Sequence, residues 1–295
     1  MRIHTASIVT SADHNYVTPT MAMLRSLSAS LESSQCAADV YVLESGLSDA
    51  NRKLIASAVR PSRLQLRFVS LNTDRIRHLK LSGHVSMATY YRLLVERELS
   101  HLKRMIYLDA DTIVLGAISD LWHHPLDGAH LWAVPQIWRP SAFASGERGL
   151  PSFRLLGIPA DSPMFNAGVM LIDLDRWRLD NVSERVIEYL TDYSEHVLWW
   201  DQDGLNAILF SDWRPLPLRW NVMASHVPHI RSQEDTPFPF DLVQDAIRSP
   251  AIVHFSSAGK PWEGGYKGPF KEAFDKFDPR RHSSPSPANP PSVSA

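Results

Sequence analysis

Three runs within the first seventy residues, "HTASIVTSA", "ADVYVLES" and "LQLRFVSL", read as β-strands. Between them lie "TPTMAMLRSLSASL" and "SDANRKLIASAV", whose apolar residues recur at helical spacing. Pro19 stands near the start of the first helix, and Ser48 or Asp49 is placed to cap the second. A β-α-β-α-β alternation argues for a parallel sheet with helices on both faces, because crossover connections between parallel strands need a helix-sized span. Ligands of such sheets sit at the carboxyl ends of the strands.

Downstream, "SMATYYRLLVEREL" is expected as a helix leading into "RMIYLDADTIVLG", residues 104–116, and later strands are expected at "LWAVPQ", "FNAGVMLIDL" and "AIVHFS". The stretch 136–164, rich in Pro, Ser and Gly, is too long for an ordinary connection and reads as a functional loop. The closing "HSSPSPANPPSVSA" has almost nothing to bury and is expected to be disordered. The expected organisation is one domain over residues 1–280 and a Pro/Ser-rich tail over 281–295.

Composition narrows the function classes. A formal net charge of −2 supplies no basic face for nucleic acid. No apolar stretch approaches the ~20 residues of a membrane span, and "MRIHTASIVTS" lacks the apolar core of a signal peptide. One cysteine, Cys36, excludes an intramolecular disulfide framework and suits a reducing compartment, so a cytoplasmic protein is expected. The nine Trp can stack on sugars or simply fill a core.

Within "RMIYLDADTIVLG" the apolar run stops at Asp109 and Asp111. Side chains two apart in an extended chain point the same way, so the two carboxylates can face one point. They repel unless a positive charge lies between them, and a hard divalent cation, commonly shared with substrate phosphates, suits oxygen ligands. The chain holds two further Asp-x-Asp pairs. In Asp173/Asp175 the second residue reads as a helix cap, and Asp201/Asp203 opens the helical "GLNAILF", where a cap is again the plain reading. Pattern alone leaves metal binding by the first pair open. "IYLDADTIV" also resembles the nucleophile motif of haloacid-dehalogenase-type phosphatases, but three strands precede it and no later "GDxxxD" pair completes that site.

The ordered set "TSADHNY", "GHVSMATYYRL", "YLDADTIV", "FNAGVMLIDLDRWR", "DQDGLNAI" and "HFSSAGKPW" resembles glycosyltransferase family 8, from about residue 3 to residue 262. The family includes bacterial lipopolysaccharide galactosyl- and glucosyltransferases and glycogenin. The resemblance implies a GT-A fold, a Rossmann-like mostly parallel sheet flanked by helices. It also implies a UDP-sugar donor, manganese (or magnesium) as cofactor, and retention at the anomeric carbon.

Residue by residue, the resemblance makes Asp13 the acceptor of the uracil N–H and Tyr16 the ring that stacks on the base, with Asn15 in reach. By themselves these residues read as a helix-start Asp and a packing Tyr. His84 and Arg92 are eight apart and can project from one region of a helix. The resemblance places both at the donor, whereas Arg92 alone reads as a surface residue of an amphipathic helix. Asp109 and Ala110 belong to the donor site, and Asp109, Asp111 and His254 to the metal site. A lone His in an apolar strand is ordinarily a satisfied core residue. Lys260 would neutralise the diphosphate as a point charge. Asn166 would bond sugar hydroxyls, Asp201 would grip donor hydroxyls, and Gln202 would lie near the reacting face. Asp201, Gln202 and Arg92 are thus the implied catalytic set.

One position departs from the pattern. The family has Gly three residues after the His, and this chain has Ser257, which puts the backbone approach to a phosphate in question.

Retention can come from two displacements through a covalent intermediate or from front-face attack, in which the leaving phosphate accepts the acceptor's proton. Gln202 is a poor nucleophile, so front-face attack is expected. The acceptor is expected to be a glycan or lipid-linked glycan, by family analogy lipopolysaccharide or another surface polysaccharide. Its walls would be loop 136–164 and "WNVMASHVPHIRSQEDTPFPF". The segment "YKGPFKEAFDKFDPRR" reads either as an amphipathic element closing the domain or as a peripheral contact with an anionic membrane. A phosphohydrolase, a non-catalytic nucleotide-sugar binder and a self-glycosylating enzyme are the alternative functions.

Overall fold

A computed structural model describes residues 5–34, 36–59, 63–83 and 85–281. Strands β1 (Thr5–Ser11), β2 (Ala37–Glu44) and β3 (Leu64–Ser70) are parallel and joined by α1 (Val17–Ser34) and α2 (Asp49–Ser57), the alternation expected from sequence. Ser48 caps α2, its hydroxyl accepting from Asn51 N–H.

The next segment departs from expectation. Met87–Leu94 winds as a 3-10 helix capped by Ser86, and only Val95–Glu98 (α3) is α-helical. Three residues per turn put Thr89 and Arg92 on the same side, while Tyr90 and Tyr91 are buried in the core. Then come β4 (Arg104–Leu108), β5 (Thr112–Val114), α4 (Ile118–Trp122), β6 (Leu131–Pro135) and α5 (Arg139–Ala142). β7 (Phe165–Asp173) is followed by α6 (Leu174–Leu179), α7 (Val182–Asp192) and α8 (Trp200–Ile208). β8 (Trp213–Pro215), β9 (Val222–Met223), α9 (Phe240–Arg248), β10 (Ile252–His254) and α10 (Lys271–Asp275) complete the order. The cap of α6 is Asp173, not Asp175: the Asp173 carboxylate accepts from the N–H groups of Asp175 and Arg176.

The large sheet has the order β3-β2-β1-β4-β7-β6-β8, and only β7 runs against its neighbours. The architecture is therefore the mixed α/β, mostly parallel sheet that the sequence predicts. Alternate residues of β4 feed opposite faces: Met105 and Tyr107 enter one apolar core, Ile106 and Leu108 the other. A second, three-stranded sheet has the order β5-β10-β9.

The chain passes from the large sheet to the small one in a tight turn at Asp109–Asp111. Asp109 N–H donates to Gly168 O at 2.8 Å, and Phe255 N–H donates to Asp111 O at 3.0 Å. Antiparallel pairing then sets Thr112 opposite His254, so sheet register brings the histidine to the aspartates.

Helix α1 clips this crossing in place. Ser26 Oγ accepts from Val114 N–H at 2.9 Å; Ser30 Oγ accepts from Ile118 N–H at 2.9 Å and donates to Gly116 O at 2.7 Å. Both serines are buried.

At the other end Phe270, Phe274 and Phe277 pack with Phe255 and Trp262 in a third cluster. The C-terminal aromatic segment thus closes the domain, with a helix of only five residues. Among the described residues no helix is long and apolar enough to cross a membrane. The tail 282–295 and His84 lie outside the described residues.

Removing the Ser30 hydroxyl strands a backbone donor and a backbone acceptor beside the crossing. Ser30→Ala is expected to lower unfolding free energy by about 1–3 kcal/mol in a denaturant titration. A change within ~0.5 kcal/mol, the range of an ordinary surface substitution, would show that the clip carries no stability.

Candidate active site

The carboxyl ends of β1 and β4 open onto a cleft of about 540 Å³. Its floor is the Asp109–Ala110–Asp111 turn together with Ser11 and Tyr107, whose hydroxyls are 3.0 Å apart.

At one end Asp109, Asp111 and His254 offer ligand atoms that all lie within 4.8 Å of one another. His254 Nε2 is 3.2 Å from Asp111 Oδ1 and 3.5 Å from Asp109 Oδ2. The carboxylates converge because the chain turns between two sheets, not because it is extended as the two-residue spacing suggested. Lys260 Nζ donates to Asp111 Oδ2 and to Phe255 O, each at 2.7 Å. Burial pushes the Asp111 carboxyl up, but Lys260 and His254 outweigh burial and hold it well below the usual carboxylate range. Two carboxylates and an imidazole fit a divalent cation such as manganese.

Gly168 makes this packing possible. A Cβ there would lie 2.2 Å from His254 Cε1 and 2.8 Å from Asp109 Oδ2.

On the opposite flank Arg92 is buried between two carboxylates, contrary to the plain surface-residue reading. Its Nη2 donates to Asp109 Oδ1 at 2.7 Å, its Nε lies 2.9 Å from Asp201 Oδ2, and its Nη1 donates to Ala167 O. The guanidinium carbon stands 4.1 Å from the Tyr107 ring centroid. Thr89 Oγ donates to Asp201 Oδ1 at 2.5 Å. Burial raises the Asp201 carboxyl, and Arg92 opposes that rise.

Asp201 and Asp203 divide the two roles their motif allowed. Asp203 is fully buried, and its Oδ2 accepts from the N–H groups of Leu198 and Trp199 at 2.7 and 2.9 Å, tying down the chain that enters α8. Burial pushes its carboxyl up to about 7.

A line of amides joins the two flanks. Gln202 Oε1 accepts from Asn166 Nδ2 at 2.9 Å and from Ala167 N–H at 3.2 Å. Asn166 Oδ1 accepts from Gly168 N–H at 3.0 Å and from Asn221 Nδ2 at 2.8 Å. Asn221 Oδ1 lies 3.1 Å from His254 Nδ1.

The outer wall of the cleft draws on two segments. Loop 136–164 contributes Gln136, Trp138, Ser141 and Arg148, and the segment after Trp220 contributes Met223, Ser225, His226 and His229. The Trp138 and His229 rings stack at 5.1 Å with 26° between planes. Burial, then His229, His254 and Arg148, lower His226 to about 4, so it is neutral at physiological pH.

Tyr16, Arg92, Asp109, Ala110, Asp111, Asn166, Asp201, Gln202, His254 and Lys260 all line the cleft. Asp13 and Asn15 do not: Asp13 caps the 3-10 turn His14–Tyr16 by accepting from Asn15 and Tyr16 N–H, and Asn15 is exposed. The second oxygen of Asp13, Oδ2, is buried without a partner among the described residues. Sequence reasoning singled out none of Asn221, Gly168, Thr89, Trp138, Arg148 and His226, although each lies within a segment named above. Their neighbours in sequence carry no shared spacing, and only the tertiary fold brings them together.

Ser257 has φ of +138°, a conformation that side chains rarely adopt. A non-glycine residue held in such a region costs on the order of 1–3 kcal/mol.

Two backbone positions therefore respond in opposite directions. Gly168→Ala should fold but lose about tenfold or more in Mn2+ affinity by calorimetry, since His254 and Asp109 must move; unchanged affinity would contradict the close approach. Ser257→Gly should raise the melting temperature by about 2–4 °C, equivalent to ~1 kcal/mol; a fall would show that the serine is unstrained.

With this geometry in view, comparison with known proteins is informative. Residues 7–264 match Glycosyl transferase family 8. General stress protein A of Bacillus subtilis is 30% identical over 273 residues, covering 90% of this chain and 91% of its own length. Lipopolysaccharide 1,2-glucosyltransferase of Escherichia coli is 26% identical over 225 residues, covering 76% of this chain and 63% of its own. The crystal structure of the galactosyltransferase LgtC in complex with donor and acceptor sugar analogs superposes with a TM-score of 0.80 at 25% identity, covering 95% of this chain and 97% of LgtC. Fold, family match and relatives agree, and the phosphohydrolase alternative loses its support: the chain has the GT-A fold and belongs to glycosyltransferase family 8.

Proposed function

We propose that this chain transfers a hexose, galactose or glucose, from a UDP-sugar to a glycan, with retention of configuration and with manganese as cofactor. The observation that carries the reading is that two charged groups line one cleft and are joined within it. The Asp109–Asp111–His254 cluster with Lys260 lies at one end, and Arg92, which touches both Asp109 and Asp201, ties it to Asp201 and Gln202. A lipopolysaccharide or other surface polysaccharide as acceptor rests on relatives named lipopolysaccharide glycosyltransferases.

Asp109, Asp111 and His254 would hold the cation, which when bound supplies positive charge to the donor's diphosphate. Lys260 adds a mobile charge at the same end: its present partner is Asp111, and a phosphate oxygen is an alternative one. Tyr16, edge-on to Trp262 at 5.6 Å, offers a ring to the base, and Asp13 caps the turn that carries that ring. Arg92 fixes Asp201 and Asp109 rather than standing free, so its part in catalysis is to hold the carboxylates in place.

Neither candidate nucleophile is disengaged. Asp201 is held by Arg92 and Thr89, and the Gln202 oxygen already accepts two hydrogen bonds. Front-face attack, with the leaving phosphate oxygen taking the acceptor's proton, requires no nucleophile from the protein and is the mechanism this arrangement favours. Trp138, Trp199 and the neutral His226 would flank the acceptor sugar, aromatic faces and a ring nitrogen being suited to its C–H face and hydroxyls.

Titrating UDP into the protein should give binding with Mn2+ that is lost, or weakened at least about tenfold, in EDTA, as expected if a cation held by Asp109, Asp111 and His254 would supply positive charge for the diphosphate. No binding in either condition would remove the donor assignment. Incubation with a UDP-hexose should leave the intact mass of the protein unchanged; a stable hexosyl adduct on Asp201 or Gln202 would overturn front-face attack.

A further inference from the structure

One buried side chain outside the assigned set touches both flanks of the cleft. Asn221 follows the 3-10 turn Leu218–Trp220, precedes β9, and is 1% exposed. We propose that Asn221 is a positioning residue: it fixes the ring tautomer of His254 and couples the cation end of the cleft to its sugar end.

The direction of each hydrogen bond follows from two backbone amides, which can only donate. Gly168 N–H meets the Asn166 side chain at 3.0 Å, so the atom there is the oxygen. Asn166 then presents its NH2 to Gln202, at 2.9 Å. Ala167 N–H meets the same Gln202 atom at 3.2 Å, so that atom is also an oxygen, and the two assignments agree. Because the Asn166 oxygen accepts, Asn221 must turn its NH2 toward it, at 2.8 Å, leaving its own oxygen facing His254 Nδ1 at 3.1 Å.

An oxygen at that position needs a donor. His254 therefore carries a proton on Nδ1 and directs Nε2 at Asp109 and Asp111. The opposite tautomer would set two acceptors face to face in a buried site. At the far end the Gln202 oxygen is engaged twice, so its NH2 is the part of the amide left for the cleft. Gln202 thus meets a sugar as a donor. Outer partners of a ligating histidine fix ring orientation in this way, and their loss typically costs about 10–100-fold in metal affinity.

Two substitutions separate the functions. Asn221→Leu removes both bonds, and its Mn2+ affinity, read by electron paramagnetic resonance of the free ion, is expected to fall about 10–100-fold. Asn221→Asp still accepts from His254 Nδ1–H but cannot donate to Asn166. It should stay within about threefold of the parent for Mn2+, while its affinity for a UDP-hexose relative to UDP falls about fivefold, the scale of one lost hydrogen bond. Circular dichroism checks that each variant folds.

Parent-like Mn2+ affinity in the leucine variant, or equal Mn2+ losses in both variants, would overturn the proposal. Should Asn221→Leu fail to fold, the aspartate variant and a third readout remain. Ring 15N spectra of the metal-free protein should show a proton on His254 Nδ1; an Nδ1 without a proton would overturn it. The inference rests on the cation reading above, and the failures are distinct. A parent that binds no Mn2+ defeats that reading, whereas the ring tautomer tests Asn221 alone.

Discussion

The site depends on balancing charge that folding has taken out of water. Asp109, Asp111 and Asp201 converge in one cleft, and Arg92 and Lys260 are the cations set against them. Three carboxylates thus share two cations, with Asp109 standing between Arg92 and His254. A buried carboxylate without a partner would protonate instead of remaining ionised. Arg92 answers this at one end by touching two carboxylates at once through separate N–H groups of its planar fork. Lys260, a compact charge on a flexible stem, answers it at the other end, where it donates to Asp111 and to Phe255 O.

The scaffold supplies this balance at a junction. β4 belongs to the large sheet and β5 to the small one, so Asp109–Asp111 is held from both sides: by Gly168 O from β7 and by Phe255 N–H beyond β10. A displacement of either sheet would move the aspartates. Ser26 and Ser30 brace the same crossing from α1. At Gly168, the position without a side chain, a Cβ would overlap His254 and Asp109, so that a methyl group there is opposed by overlap rather than by conformation.

What the sequence revealed, and what it hid, divides along the range of the forces involved. The β-α-β-α-β order was legible because periodicity is local, and the Asp109/Asp111 pair because an apolar strand ending in two carboxylates is costly unless used. His254 and Lys260 were legible only through resemblance, since a histidine in an apolar strand has an equally good core role. The 3-10 winding of Met87–Leu94 was not legible: the apolar spacing fits an α-helix, and the contact of Thr89 and Arg92 with Asp201, more than one hundred residues away, accompanies the tighter turn. Asn221 was hidden for the same reason. Its partners are Asn166 and His254, and nothing in "RWNVM" announces either. Asp13 was read as a base contact or a helix start, and the structure makes it a cap whose second oxygen has no partner among the described residues.

The two ends of the cleft are built under different constraints, which bears on what can vary. Around Asp109, Asp111 and His254 the polar groups share partners supplied by strands and by the turn between the two sheets, so that changing one forces the others to move. At the outer end Trp138, Arg148 and His226 stand on loops, joined by ring stacking and single contacts such as the bond from Trp199 Nε1 to Arg148 O. Loops on a rigid scaffold tolerate replacement, and they are where binding specificity is commonly placed. The strained Ser257 lies between these regimes, on the loop joining His254 to Lys260. That loop carries two of the four side chains gathered at the cation end, so its conformation is held by the side chains it delivers, and a residue other than glycine can be kept there at a local cost in backbone energy.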